Sequence, residues 1–281
     1  MRAQITLTVN EGKRIIAKAV AAMPVVQEAL EGGRIFLKGG STTSAICEEL
    51  VGRPLRISGR ITPAGLKAPK NYSRVFHNCV IEKGEASDPG EALEEVVEKF
   101  QPDDVFIVGA NAIDTQGQAA LMYGGLPTGN PGRIVPILMT EISNVIIPAG
   151  LEKLVPGSIR ELAAQTGRLL VDRSMGMPVG LLPLAGRIVT EQEALPLLAD
   201  VTCLVIGKGG IFGAEGSSTL IVDGPDAEVE KIVELALSVK GAGLSGVEAS
   251  FPECESPSPM CGFHPTCVYR GKKSEDNENP S

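Results

Sequence analysis

Short apolar runs alternate with helix-like patterns along most of this chain. Apolar runs typical of buried strands are found at 34–37, 104–108, 144–147 and 168–171. Between them, apolar residues recur at helical spacing in 41–50, 93–100 and 159–166. Strands that alternate with helices predict an α/β protein with a Rossmann-like, largely parallel sheet and helices on both of its faces.

The pattern changes after residue 190. Two apolar runs, 201–206 and 218–222, flank a glycine-rich connection, and a helix with one apolar face follows from about Pro225. This order predicts a small α+β subdomain. Beyond Gly246 the composition of Pro, Ser, Glu and Asn is typical of a tail without a core of its own. We therefore expect a Rossmann-like ligand-binding domain at 1–190, an α+β subdomain at 191–245 and a Cys/Pro-rich tail at 246–281.

Composition and charge narrow the classes of function. The chain has 26 Lys and Arg against 34 Asp and Glu, a net charge of −8, which disfavours nucleic acid as a partner. No apolar run approaches the length of a membrane span, and the first residues carry no signal-peptide core. We therefore expect a cytoplasmic protein with no membrane partner. A small anionic metabolite remains compatible with this charge, and we expect a homo-oligomer.

The segment Lys-Gly-Gly-Ser-Thr-Thr-Ser at 38–44 lies between a predicted strand and a predicted helix. Its glycines allow a ligand to approach the backbone, and the helix start offers unpaired N–H groups with partial positive charge. Four hydroxyls and a lysine add donors. The segment is neither a Walker A loop nor a Gly-x-Gly-x-x-Gly motif. We predict that it binds an anion; the alternative is a tight turn with Ser41 as the helix cap. The candidate residues are Lys38, Gly39, Gly40, Ser41, Thr42, Thr43 and Ser44.

A second glycine-containing loop follows the predicted strand at 104–108. In a parallel sheet, ligands gather outside the carboxyl ends of the strands, where both loops would lie. We expect the side chains of Asn111 and Asp114 to point into this crevice. The alternative is a turn in which these two side chains bond their own backbone. The candidate residues of the second loop are Gly109, Ala110, Asn111 and Asp114.

Together the two loops resemble a known superfamily. A strand followed by Gly-Gly-Ser-Thr-Thr, then Val-Gly-Ala-Asn-Ala-Ile-Asp-x-x-Gly about seventy residues later, is similar to ribose-5-phosphate isomerase, glucosamine-6-phosphate deaminase, CoA transferases and DeoR-type effector domains. The resemblance covers roughly residues 10–175. It implies that the first loop binds a sugar phosphate, on Gly39 to Thr43, and that the second loop holds the rest of the ligand, on Gly109 to Asp114.

The chain departs from the isomerases of this superfamily at the second loop. They carry an acidic Asp-Gly-Ala-Asp-Glu there and a Lys-Gly-Gly-Gly…Glu stretch after it, whereas residues 108–112 are neutral here and Thr-Gln-Gly-Gln follows at 115–118. An enediol mechanism needs a carboxylate base near the sugar carbons, and we find no convincing one in this sequence. Isomerase activity is therefore not expected.

The other members of the superfamily also fit only in part. The DeoR pattern matches the second loop better, but no helix-turn-helix precedes it. A CoA transferase needs a glutamate nucleophile, for which Glu141 and Glu215 are the candidates near loops. Whether the chain is an enzyme stays open at this point. A third glycine-rich stretch, at 208–218, is either a further ligand loop or a long hairpin connection.

Half of the cysteines and one of the two histidines lie near the end of the chain. Their side chains fit zinc or an iron–sulfur cluster with three cysteine ligands, although the spacing matches no standard zinc finger. The alternatives are reduced thiols or a tail disulfide. The candidate metal ligands are Cys254, Cys261, His264 and Cys267.

The preferred hypothesis is a protein that binds a small phosphorylated or carboxylated metabolite, a sugar phosphate or a CoA-type ligand, at the glycine-rich loops. The alternative is a metal- or iron–sulfur-binding accessory protein that acts through the C-terminal cysteines and His264. A third interpretation is a structural oligomer in which the glycine loops are only turns. Beyond the zinc or iron–sulfur candidates, no cofactor is assigned.

Overall fold

A computed structural model describes residues 1–70, 76–90, 92–125 and 130–271, with only the backbone for 130–133. The helices within these ranges are α1 (Val9–Ala21), α2 (Pro24–Gly32), α3 (Ser41–Val51), α4 (Leu93–Val97), α5 (Asn130–Glu141), α6 (Ile159–Gln165), α7 (Glu191–Leu198) and α8 (Asp226–Ser238). The strands are β1 (Arg2–Leu7), β2 (Arg34–Lys38), β3 (Arg60–Thr62), β4 (Gly65–Lys67), β5 (Asn78–Glu82), β6 (Glu85–Ser87), β7 (Val105–Ile107), β8 (Ala112–Ile113), β9 (Ala119–Tyr123), β10 (Asn144–Pro148), β11 (Gly180–Leu184), β12 (Arg187–Val189), β13 (Thr202–Gly209) and β14 (Ser217–Asp223). Within the same ranges, none of the helices is both long and apolar enough to span a membrane.

The central sheet has six strands in the order β12-β10-β7-β2-β5-β6. The four strands from β12 to β2 are parallel, whereas β5 and β6 are antiparallel to their neighbours. The expectation of an α/β protein with a largely parallel sheet is therefore confirmed. Because β2, β7, β10 and β12 run in one direction, the loops that follow them lie at one edge of the sheet. The Rossmann-like assignment stays a prediction.

Helices cover both faces of this sheet because successive side chains of a strand point in opposite directions. In β2, Ile35 and Leu37 belong to a core shared with α1, α2, α3, α7 and α8. Phe36 between them belongs to a second core, shared with α4 and α5. Its ring contacts that of Phe106 edge to face, with 5.7 Å between the ring centroids. The same alternation places Lys38 on the Phe36 side of the sheet.

A second sheet joins the first strand of the chain to the strands β13 and β14. Its order is β1-β14-β13, all antiparallel, and β1 pairs with β14 from Arg2 opposite Asp223 to Leu7 opposite Ser218. The first strand thus lies with the α+β segment predicted at 191–245. The proposed boundary at residue 190 stays a prediction, but this pairing crosses it. The stretch at 208–218 connects β13 to β14, as the hairpin interpretation expects.

Two local expectations were wrong. The run at 168–171 is not a strand: Arg168–Leu170 forms a single 3₁₀ turn, in which Leu169 is 83% and Leu170 72% exposed. A short apolar run does not specify a strand unless neighbouring strands bury it. The second concerns the first helix, which we expect Asn10 to cap because Asn is a common N-cap residue. Thr8 caps α1 instead, in a capping box with Glu11.

Candidate functional site

The first loop connects β2 to α3 as the sequence predicts. Lys38 ends the strand and Ser41 begins the helix, so that Gly39 and Gly40 form the connection. Gly39 packs directly on neighbouring backbone: a Cβ there would lie 2.1 Å from the carbonyl oxygen of His77 and 2.9 Å from that of Arg56. Only glycine fits this position, and the loop is therefore held tightly against two other segments.

Two of the four hydroxyl groups of this loop form hydrogen bonds within the protein that fix the loop. The Thr43 hydroxyl donates to the carbonyl oxygens of Lys38, at 2.7 Å, and Gly40, at 2.9 Å. The Ser44 hydroxyl accepts from the N–H of Leu55 at 2.9 Å and also bonds the hydroxyl of Ser245. Both side chains are fully buried. Their roles are internal, so they are not available to a ligand.

The Thr42 hydroxyl differs from these two. It is buried in the first turn of α3, where Thr42 is 2% exposed, and it has no hydrogen-bond partner in the described part of the chain. A buried hydroxyl without a partner is costly. The N-cap residue is Gly40, with no side-chain cap, so the alternative in which Ser41 caps the helix is not observed. Thr42 is therefore the hydroxyl that a ligand could satisfy.

The pair Thr42→Val and Thr43→Val tests this division, because one shape-conserving substitution is made at two adjacent residues. Thr43→Val should lower the free energy of unfolding by about 1–2 kcal/mol, since the hydroxyl that donates to the carbonyl oxygens of Lys38 and Gly40 is removed. Thr42→Val should leave it unchanged or raise it by up to about 1 kcal/mol, since no bond is lost. Urea unfolding measures both. Equal losses in the two variants would show that Thr42 is bonded after all.

Lys38 carries a buried cation beside the loop. Its side chain is 9% exposed, and burial lowers the pKa of Lys38 to about 8, so that the ammonium form prevails at neutral pH. With Phe36, Asn78, Ile134 and Val135 it lines a small cavity of about 10 Å³. No carboxylate among residues 1–70, 76–90, 92–125 and 134–271 forms an ion pair with it. An unpaired buried ammonium favours an anion from outside.

His77 and Arg56 reinforce this positive environment. Burial, and then the neighbouring cations Lys38 and Arg56, lower the pKa of His77 to about 3. His77 is thus neutral at physiological pH, and part of the decrease in its pKa comes from two positive charges close by. The segments that carry His77 and Arg56 are the ones on which Gly39 packs. Two cationic side chains, Lys38 and Arg56, thus lie close to His77 beside the loop.

The second loop lies next to the first. A Cβ on Gly109 would be 3.9 Å from Cγ2 of Thr43 and 3.8 Å from the carbonyl oxygen of Pro148. The loops after β2, β7 and β10 are therefore neighbours, as expected for parallel strands. Ala110 is 2% exposed and packs in the core around Phe36, so its side chain does not face a crevice.

Asn111 and Asp114 serve the second loop itself. Asn111 Oδ1 accepts from the N–H of Met122 at 3.0 Å. Asp114 Oδ1 accepts from the N–H groups of Gln116 and Gln118, and Oδ2 from that of Ile159 at 2.9 Å. Burial alone would raise the pKa of Asp114, but these three backbone bonds lower it overall. The turn interpretation is thus favoured for this loop, because the Asp114 carboxylate accepts hydrogen bonds from backbone N–H groups that hold the loop in place.

The two nucleophile candidates lie on other segments than the glycine loops. Glu141 is exposed at the end of α5, where the chain enters β10, and hence at the opposite edge of the sheet. Glu215 is exposed in the β13–β14 hairpin and accepts from the N–H of Gly213 at 2.9 Å. Glu141 is therefore not placed to attack a ligand bound at the glycine loops, and the hydrogen bond of Glu215 stays within its own hairpin.

The predicted metal ligands gain no support. Within the described residues, which include all four ligands, no group of three or more His, Cys, Asp or Glu side chains is placed to hold a metal ion. The three tail cysteines are free thiols. Burial lowers the pKa of His264, which is 5% exposed and hydrogen-bonded to the backbone of Gly124. The tail packs on the rest of the chain, for example through the N–H of Cys254 on the carbonyl of Ala68.

Sequence analysis missed a group of five charged side chains at the same edge of the central sheet. Two follow β10 and one follows β12, while α1 and β13 supply the others. We call Lys13, Glu152, Lys153, Glu191 and Lys208 the Lys–Glu cluster. One local signal was present: Thr190 and Glu193 form a capping box, which predicts a helix start beside Glu191. The contacts between the five residues have no local signal.

Comparisons with known proteins add little to this geometry. No protein-family model and no curated protein matches the chain. Among solved structures, a D-ribose-5-phosphate isomerase in complex with phospho-erythronic acid is 16% identical, with a TM-score of 0.32 over 88% of this chain and 93% of the isomerase chain. A similarity so distant carries no argument about ligand or reaction, which leaves the geometry of the loops as the basis for function.

Proposed function

We propose that this chain binds a small phosphorylated or carboxylated metabolite, of the sugar-phosphate or CoA type, at the loop between β2 and α3. The observation that carries the proposal is the buried Lys38 ammonium, which has no carboxylate partner in the described chain. A buried charge without a partner is strongly unfavourable. A bound oxyanion would remove that cost.

The start of α3 supports the same ligand. The N–H groups of Ser41, Thr42 and Thr43 belong to the first turn, where an α-helix leaves its donors unpaired. The first intrahelical bond runs from the N–H of Ser44 to the carbonyl of Gly40, at 2.7 Å. Three N–H groups, the helix dipole and the unpartnered Thr42 hydroxyl therefore combine into donors of the kind that phosphates select. Gly40, the N-cap residue, has no side chain that could block the approach of a ligand.

The substitution Lys38→Met tests the proposal. It should weaken binding of inorganic phosphate and of ribose 5-phosphate about tenfold, because one charge-assisted hydrogen bond is lost. Stability in urea should be unchanged or higher, since methionine removes an unpaired buried charge and keeps the volume. Isothermal titration calorimetry and urea unfolding on the same preparations separate lost binding from lost folding.

The matched control is Lys99→Met, which removes an exposed lysine and should change neither measurement. Thr42→Val should also weaken phosphate binding, in a protein at least as stable as the original. The proposal is wrong if the unmodified chain binds neither ligand at millimolar concentration, or if Lys38→Met binds as tightly as Lys99→Met.

A further inference from the structure

The Lys–Glu cluster lies where four segments meet. A Cβ on Gly12 of α1 would lie 2.3 Å from Oε1 of Glu191, and a Cβ on Gly216 would lie 3.5 Å from Cβ of Glu152. Glu191 Oε2 accepts from the N–H of Leu151 at 2.8 Å. The first turn of α1, the turn after β10, the start of α7 and the β13–β14 hairpin are thus brought to one point.

The three lysines of the cluster lie near the two carboxylates, but none of them forms an ion pair with a carboxylate of the described chain. Burial lowers the pKa of each lysine, and both Glu152 and Glu191 oppose this shift in all three. Each lysine is thus close enough to both carboxylates for their charges to affect its pKa. Yet no ion pair links a lysine of the cluster to a carboxylate anywhere in the described chain. Lys208 donates instead to the hydroxyl of Ser218, at 2.9 Å.

The balance of charge in the cluster is positive. Three ammonium groups face two carboxylates, and burial raises the pKa of Glu191 to about 7, so that part of its negative charge is absent near neutral pH. Lys13 also lowers the pKa of Lys153, after burial, which places two like charges near each other. Such an arrangement favours an anion between the lysines, as a cation would be repelled.

Glu152 adds a different requirement. Its Oε2 atom is buried and has no hydrogen-bond partner in the described chain. A carboxylate oxygen can only accept a hydrogen bond, so this atom needs a donor from a ligand. An anion alone cannot supply one. A molecule that carries both an oxyanion and a hydroxyl group satisfies the lysines and Glu152 together.

We propose that the Lys–Glu cluster is a second binding site, which takes a small hydroxy acid: Lys13, Lys153 and Lys208 hold its carboxylate, and Glu152 accepts a hydrogen bond from its hydroxyl group. The site shares no residue with the loop between β2 and α3. The strands β2 and β10 are separated by β7, which sets the two sites roughly 10 Å apart. Binding at the second site can therefore be tested independently of binding at the first.

Calorimetric titration with malate and succinate tests the second site, because these dicarboxylates differ by one hydroxyl. Malate should bind the unmodified chain about tenfold more tightly, the effect of one hydrogen bond to a charged group. Glu152→Met should abolish this preference and leave succinate as tight or tighter, since a negative charge and an acceptor are removed together. Lys153→Met should weaken both ligands about tenfold.

Two further variants keep the test decisive. Lys38→Met should bind malate like the unmodified chain, which separates this site from the phosphate loop. Should Glu152→Met fail to fold, Lys208→Met, at an exposed position of β13, should still weaken both dicarboxylates. Equal affinity for malate and succinate in the unmodified chain overturns the proposal, as does a malate preference that survives in Glu152→Met.

Discussion

Gly39→Ala is expected to lower the free energy of unfolding by about 3 kcal/mol or more. The added methyl group would lie 2.1 Å from the carbonyl oxygen of His77 and 2.9 Å from that of Arg56. Both obstacles are backbone atoms, which cannot rotate away as a side chain can. The loop between β2 and α3 must therefore move as a whole, and the hydrogen bonds of Thr43 to Lys38 and Gly40 move with it. Urea unfolding measures the loss.

Gly32→Ala is the matched control for this substitution. Gly32 ends α2, and a Cβ there meets no atom within 4 Å. The control should be neutral, or more stable by up to about 1 kcal/mol, because alanine favours a helix over glycine. A Gly39→Ala protein as stable as the Gly32→Ala protein would contradict the tight packing of the loop. A clear loss of stability accompanied by lost phosphate binding would support the proposed role of the loop.

Glu191→Gln is expected to remove a large pH dependence of stability. Burial raises the pKa of Glu191 from 4.5 to about 7. Between these values the unfolded carboxyl has lost its proton while the folded one keeps it, so the folded state binds more protons and stability falls as pH rises. The expected loss between pH 4.5 and 7 is about 3 kcal/mol. Glutamine keeps the acceptor for the N–H of Leu151 and cannot ionise.

Urea unfolding at several pH values across this window measures the difference between the original chain and Glu191→Gln. The two curves should be closest below pH 4.5, where Glu191 is protonated in both states, and Glu191→Gln should be the more stable above pH 7. Glu230→Gln, on the exposed face of α8, serves as the control and should follow the original chain. Parallel curves for Glu191→Gln and the original chain would show that Glu191 is not held in its protonated form by burial.

The first loop could be predicted because its parts are contiguous. The apolar run of β2, the two glycines and the hydroxyl-rich start of α3 occupy one stretch of about ten residues, so strand, turn and helix are all local signals. From the sequence alone, all four hydroxyl groups of the loop were equal candidates for binding a ligand. Nothing local shows that some of them are already bonded within the protein. Ser44 is bonded to Leu55 and Ser245, and the second of these lies 201 residues away.

The second loop shows which features cannot be predicted from neighbouring residues alone. Its position after β7 was predicted correctly, and Gly109 does lie beside Thr43. The role of Asp114 depends on the N–H of Ile159, which is 45 residues further along the chain. A carboxylate before a glycine-containing turn fits a ligand site and a structural turn equally well until that distant donor is known.

By itself, the sequence determined the α/β class and the strand–loop–helix unit around the first loop, because periodicity and turn chemistry act over a few residues. Only the tertiary structure decided that β1 pairs with β14, that Lys38 is buried without a carboxylate partner in the described chain, and that five charged residues between positions 13 and 208 form one cluster. Such contacts depend on how distant segments pack, and no local pattern of apolar and polar positions specifies them. The burial of Lys38, on which the proposed site rests, could not be predicted from the glycines and hydroxyls of the loop.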